Sequence, residues 1–343
     1  MVLTGRETAP ATFAARAHLN RDRPALVDVR TDGSRHTTSW GGLARRVRHL
    51  SLALSAEGFE PGATLALDGT APAADRATTL LVGSAIGAVV VAGAGATPLD
   101  LDALAVAGAA LDERHPDGFE RLVAARSPHE PLLRCGEVDH THASLLIAAR
   151  SLAQGAGFGV ADRLLVSLAP GSAAEVVLSV LVPCLTGAAS WSSPTAFAVE
   201  DRGDDVRPTF IASRALSTQA GPTRRRVGRR RPRGAIRSVM VLGDGGAGGP
   251  LVPTGAGLVA LSVEAAGGIV AGFGAGGSVG HPLPGVSLAV DDDGEVLVRS
   301  GGVPPGAPGL RDDGWLATER HGRLDGGALV LERALAGPDG RAG

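Results

Sequence analysis

The sequence predicts an α/β protein, on three observations. Short apolar runs of strand length alternate with segments of helical apolar spacing through much of the chain, as in layered α/β domains. Fifty glycines and 22 prolines supply many turns between short elements, with no collagen-like period. Beyond Gly280 the texture changes to strands and turns, so a β-rich part follows the α/β part.

Residues 24–29 (Pro-Ala-Leu-Val-Asp-Val) predict a first strand, and Thr31-Asp32-Gly33-Ser34 a hairpin turn, because Asp-Gly tolerates positive φ. Trp40, Leu43, Ala44, Val47, Leu50 and Leu54 then recur at helical spacing, with Arg45, Arg46, Arg48 and Glu57 on other faces. Ser39 is placed to cap that helix and Gly58 to close it. Residues 63–67 read as a short buried strand, and helix returns from Thr78. The run 79–96 reaches about the ~18-residue length of a membrane span. Gly83, Gly87, Gly93 and Gly95 interrupt it, so a core helix followed by a buried strand is expected instead, with no membrane span. Further on, 142–154 predicts a helix, 163–168 a strand, and 173–185 a helix interrupted by Pro183. Residues 209–212 and 236–242 predict strands. The last part predicts strands at 286–290 and 295–299 around the turn Asp291-Asp292-Asp293-Gly294, and another at 328–331.

Composition narrows the function classes. A net charge of −2 and a hydrophobic fraction of 44% suit a soluble globular chain with ample core, and neither sign of charge dominates. Seven Phe, three Trp and no Tyr leave the core to Ala, Val and Leu. Cys135 and Cys184 stand far apart, which fits free thiols and a reducing, cytoplasmic compartment. Residues 1–10 lack the apolar stretch of a signal peptide. Arginine accounts for all 33 Lys+Arg positions, and lysine is absent.

Several motifs have both a sharp and a bland reading. His140 and His142, near Cys135, Glu137 and Asp139, could suggest a metal site, but no second cluster supports ligand spacing and structural histidines are expected. Asp291 to Asp293 lack the alternating ligands of a calcium loop. Gly-Phe-Gly-Ala-Gly-Gly at 272–277 invites a dinucleotide reading, yet the following residues do not open a helix. Ser-His-Asp chemistry would need a nucleophile elbow of the G-x-S-x-G kind, and none is expected. Arg224 to Arg233 holds seven arginines in ten residues, without interleaved aromatics, so a solvated linker is expected there rather than a nucleic-acid site.

Four stretches in order resemble one family. They are Arg23-Pro24-Ala25-Leu26-Val27 through the helix to Gly62-Ala63; Thr141-His142-Ala143-Ser144-Leu145-Leu146, followed by Asp162-Arg163-Leu164-Leu165 and the segment to Gly187-Ala188; Gly280-His281-Pro282-Leu283-Pro284-Gly285 with Gly294-Glu295-Val296; and Asp313-Gly314-Trp315 with Gly322-Arg323-Leu324-Asp325. Together they resemble the large domain of adenylate-forming (AMP-binding) acyl-CoA synthetases, nearest the long-chain fatty acid type. The resemblance implies one AMP-binding-like large domain over 1–343, with an α/β part at 1–220, an Arg-rich linker at 221–235 and a second α/β and β-rich part at 236–343. It also implies that the family's small C-terminal domain, with its catalytic lysine, is absent.

The family's chemistry transfers poorly. Its Ser/Thr/Gly-rich triphosphate loop, ending in Pro-Lys-Gly, corresponds to His129 through Glu137, where Gly136 falls at the lysine and Arg134 lies two residues away. The resemblance gives the adenine-side turn to Gly243-Asp244-Gly245-Gly246. It matches the aromatic segment to Gly272, Phe273 and Gly274, without the family's threonine and magnesium-binding glutamate. The ribose motif T-G-D becomes Thr318-Glu319-Arg320, and of the hinge motif only Arg333 remains. The residual nucleotide-side residues implied are Gly243, Gly245, Gly246, Gly272, Phe273, Gly274, Thr318 and Arg333, with no catalytic residue and no metal ligand. The expectation is a catalytically inactive synthetase-like protein that binds a protein partner or an acyl or nucleotide ligand. Two alternatives stay open: an active ATP-dependent long-chain fatty acid–CoA ligase, requiring ATP, magnesium and CoA, and an arginine-driven nucleic-acid binder.

Overall fold

Helices and strands alternate as far as Ser192, and strands dominate thereafter. The computed structural model describes residues 7–29, 34–92, 100–192, 210–213, 238–243, 257–274 and 280–331. The first part runs α1 (Ala9–Leu19), β1 (Pro24–Val29), β2 (Arg35–Ser39), α2 (Trp40–Ala56), β3 (Thr64–Leu67), α3 (Ala73–Ile86) and β4 (Val89–Ala92). It continues with α4 (Leu101–Arg114), α5 (Gly118–Ala124), β5 (Pro131–Cys135), β6 (Val138–Thr141), α6 (His142–Ala156) and β7 (Arg163–Ser167). One interrupted helix follows as α7 (Ala173–Val176), a π turn (Val177–Leu181) and α8 (Val182–Thr186), and then β8 (Ala189–Ser192). The later strands are β9 (Phe210–Ser213), β10 (Ser238–Gly243), β11 (Gly257–Val263), β12 (Gly268–Gly274) and β13 (Gly280–Pro282). The last four are β14 (Val286–Val290), β15 (Glu295–Ser300), β16 (Leu316–Asp325) and β17 (Ala328–Leu331).

Two sheets organise these elements. The larger has the order β14-β15-β16-β17-β13-β12-β11-β10-β9-β7-β8-β1-β2. Its strands β1, β8, β7, β9, β10 and β11 are parallel, whereas β12 onward pair antiparallel. The smaller sheet is β3-β4-β5-β6, parallel except for β6. The fold is therefore α/β with a β-rich C-terminal part, as the sequence predicts.

Local chemistry explains the main helices. On α2, Trp40, Leu43, Val47, Leu50 and Leu54 are all buried, and the Ser39 hydroxyl accepts the Gly42 N–H at 3.1 Å. On α6, Thr141 and Ser144 exchange bonds in a capping box. The interruption expected at Pro183 takes a specific form. The helix widens into the π turn, and Pro183 then stands in the first turn of α8, where a missing N–H is least damaging. Arg16 secures the far end of α8, donating to Cys184 O at 3.0 Å and to Leu185 O.

Apolar side chains fall into two clusters. The larger gathers Phe13, Trp40, Leu50, Leu80, Leu133, Leu145 and Leu181. The smaller, in the β-rich part, holds Val270, Val296, Val298, Leu316 and Leu329. No described helix is long and apolar enough to cross a membrane. As far as Ala92, the last described residue of it, the run that reached span length in the sequence is the end of α3 followed by β4, joined at Gly87. The linker expected at 221–235, with its arginines, lies outside the described residues.

Candidate functional site

The C-terminal ends of the parallel strands are where an open α/β sheet binds ligands. In the smaller sheet, Leu67 ends β3, Ala92 ends β4 and Cys135 ends β5, all at the same edge. The loop after β7, with Pro170 and Gly171, packs directly onto this edge. Gly171 has φ of +74°, and a Cβ there would stand 2.2 Å from Ala92 Cβ and 3.4 Å from Leu67 Cδ2. The Cys135 thiol donates to Gly171 O at 3.3 Å. A Cβ on Gly69, just past β3, would stand 3.5 Å from Pro170 Cβ. These contacts seat the Gly171 loop on the strand ends, while Gly69, Ala92 and Pro170 stay exposed.

A buried ion pair sits behind that contact. Glu175 Oε1 lies 3.2 Å from Arg76 Nη2, and Glu175 Oε2 accepts the Gly171 N–H at 3.3 Å. Arg76 Nη1 donates in turn to Ala71 O at 2.6 Å. Burial pushes the Glu175 carboxyl above the usual carboxylate range, while Arg76 pulls it the other way. The pair joins α3 to α7 and holds the Gly171 loop from behind.

The segment expected to correspond to a triphosphate loop is a tight β-hairpin. Cys135 pairs with Val138 across a turn made only of Gly136 and Glu137, and Gly136 adopts φ of +58°. Glu137 is exposed at the tip. Arg134 lies directly opposite Asp139 and donates to both carboxylate oxygens, Nε at 2.6 Å and Nη2 at 2.9 Å. That pairing holds the Asp139 carboxyl below the usual carboxylate range. The nearest cation in sequence to the expected lysine position is thus committed to its own strand partner.

The other predicted residues are spread over the sheet. Gly272, Phe273 and Gly274 belong to β12, with Gly272 opposite His281, Phe273 opposite Gly280 and Gly274 opposite Val259. They form strand backbone, not a phosphate-wrapping loop. Gly243 ends β10 opposite Leu261, one strand from β12 on the other side of β11. Gly245, Gly246 and Arg333 lie outside the described residues. Thr318 uses its hydroxyl within the sheet, donating to Val296 O at 2.7 Å and accepting the Arg320 N–H at 3.3 Å. Between these two, Glu319 has φ of 57° and its N–H donates to Glu295 Oε1 at 2.8 Å. Left-handed backbone at a non-glycine residue is strained. It occurs at the position where the resembled motif T-G-D has its glycine.

His140 and His142 are both fully buried. His142 Nδ1 accepts the Ala9 N–H at 3.3 Å, and burial, followed by the Arg126 charge, lowers its pKa to about 4. Among the described residues no group of three or more His, Cys, Asp and Glu side chains converges as a metal site. Asp291 to Gly294 form the β14–β15 turn, with Asp291 Oδ1 accepting the Glu295 N–H at 2.9 Å. One expectation needs correcting: Gly276-Gly277-Ser278-Val279-Gly280 does carry G-x-S-x-G spacing. Residues 276–279 lie outside the described residues, and the element that follows is the antiparallel strand β13, whereas a nucleophile elbow leads from a strand into a helix. Sequence reasoning missed Ala92, Gly171, Arg76 and Glu175. Arg76 and Glu175 stand 99 residues apart, so no local spacing could have joined them.

No protein-family model and no curated protein matches this chain. Solved structures do match. A Mycobacterium tuberculosis fatty acyl CoA synthetase superposes with a TM-score of 0.69 at 17% identity, over 95% of this chain and 78% of that one. The unliganded O-succinylbenzoate coenzyme A synthetase of Bacillus subtilis gives 0.69 at 17%, over 95% and 82%. The N-terminal domain of FACL13 from Mycobacterium tuberculosis gives 0.66 at 18%, over 96% of this chain and all of that one. The fold is that of the acyl-CoA synthetase large domain. At such low identity the match carries architecture and no activity.

Proposed function

We propose that this protein is an acyl-CoA synthetase-like scaffold that does not form adenylates and serves instead to bind a ligand or a protein partner. The observation that carries the reading is the two-residue Gly136–Glu137 turn, where the resembled family has a long phosphate-wrapping loop. A phosphate cradle needs several convergent backbone N–H groups and a cation. The hairpin turn is too short to wrap a triphosphate, Glu137 adds negative charge at its tip, and Arg134 is already bidentate on Asp139. The residues present therefore do not fit a magnesium–triphosphate group, and no catalytic step is derived through one.

The neighbouring edge supports the same reading. Gly171 sits against Ala92 with no room for even a methyl group, so the chain's own backbone occupies that part of the strand-end edge. Losing one donor to developing charge typically slows a reaction by ~10²–10³-fold. Here a whole loop and its cation are replaced together.

The test is acid-dependent ATP–pyrophosphate exchange over a panel of fatty and aromatic carboxylic acids. No exchange above the acid-free background is expected. Exchange that saturates with any one acid would restore the active-ligase alternative.

A further inference from the structure

The indole of Trp40 is buried at the start of α2, and no described residue accepts its Nε1–H. A buried donor left without an acceptor is costly, so native structures seldom keep one. Trp40 also lines a cavity of about 10 Å³ between α2, α3, β1 and the π turn that leads into α8. That is the lower limit of the roughly 10–15 Å³ a single water needs, and it leaves no room for a larger ligand.

The groups around this space are polar in a complementary way. Ser179 lines the same cavity and spends its one hydroxyl proton on Glu175 O at 2.6 Å, so its Oγ can only accept further. Trp40 Nε1 can only donate, yet the two do not bond to each other. The π turn contributes a second acceptor. Val182 N–H reaches back to Val177 O, and Pro183, another lining residue, has no N–H to follow it. The widened turn is thus one backbone donor short. Ala25, on the β1 side, has no partner on β2, because the register passes from Pro24↔Ser39 to Leu26↔Thr38. An apolar space of this kind stays dry, whereas a space bordered by a donor and acceptors that do not meet takes up water.

We propose that this cavity holds one resident water, which accepts the Trp40 Nε1–H and donates to Ser179 Oγ and to a carbonyl of the π turn. It makes about three hydrogen bonds, as internal waters usually do. The water ties the start of α2 to the widened turn, where no direct side-chain bond does so.

Rotating-frame water–protein cross-relaxation on the full chain, with nitrogen-15 in its tryptophans, tests this directly. The Trp40 indole is recognised by its contacts with the Phe13 ring. Its N–H should show a cross-peak to water with the sign of through-space contact rather than of chemical exchange. Ser179→Ala removes the hydroxyl able to relay such a signal and should keep the peak, since the π-turn carbonyl still holds the water. Ala77→Val, whose added methyls take up the cavity, should abolish the peak while the amide spectrum stays dispersed. Any of three results would overturn the proposal: no peak in the wild-type chain, its loss in folded Ser179→Ala, or an unchanged peak in Ala77→Val. If Ala77→Val does not fold, the first two results decide alone.

Discussion

Replacing Gly171 with alanine probes the strand-end junction most sharply. Two penalties add at this position. A left-handed backbone disfavours an L side chain by about 1–2 kcal/mol, and Gly171 has φ of +74°. The new methyl would also overlap Ala92 Cβ at 2.2 Å, and overpacking of that kind costs about 1–3 kcal/mol. Gly171→Ala should therefore destabilise by roughly 2–5 kcal/mol in denaturant unfolding. The steric part depends on the Ala92 methyl and the backbone part does not. Adding Ala92→Gly should recover about 1–3 kcal/mol, although alone it costs no more than about 1 kcal/mol. If Gly171→Ala destabilises equally in the wild-type and the Ala92→Gly backgrounds, the Gly171 loop does not touch the end of β4, and the reasoning from that contact fails.

Other outcomes follow from the same contacts. Because His142 is held near pKa 4 against an ordinary value of 6.5, the unfolded chain binds the extra proton between those values. Stability should thus fall as pH drops from about 6.5 through 4, by roughly 3 kcal/mol from this group, and His142→Gln should flatten that part of a urea-stability profile. Glu319→Gly should raise the thermal midpoint, since relief of the φ of 57° outweighs the added freedom of the unfolded chain by about 0.5–1 kcal/mol. Thr141→Ala removes one side of the α6 capping box and should cost about 1 kcal/mol by chemical denaturation. Arg134→Ala should leave the denaturation midpoint nearly unchanged, because the Arg134–Asp139 pair is exposed to solvent.

Architecture was legible where one element carries its own signal. The α2 stripe from Trp40 to Leu54, the Ser39 cap, the helix and strand within 79–92 and the Asp291–Gly294 turn all express local chemistry, and each forms as read. Weakly periodic elements escaped. The helix α4 is apolar and Ala-rich without a break from Ala103 to Leu111, so no face stands out, and β5 and β6 are short strands broken by charged residues. Missing that hairpin mattered, since the loss of glycines around Gly136 was visible in the sequence while the two-residue turn was not. The junction itself was illegible for a different reason. Gly171 against Ala92 and Arg76 against Glu175 are contacts between distant segments, and only the packing of two sheets brings them together. Thr318 stood out by its place in a motif, but its hydroxyl is spent on Val296 O, a bond no linear spacing reveals.

Calorimetric titration of the full chain with ATP and excess magnesium bears most directly on the absent phosphate cradle. With a two-residue turn at Gly136–Glu137 and Arg134 held by Asp139, no saturable heat should appear below millimolar nucleotide. One-to-one binding at micromolar concentration, weakened by Arg134→Ala, would contradict it.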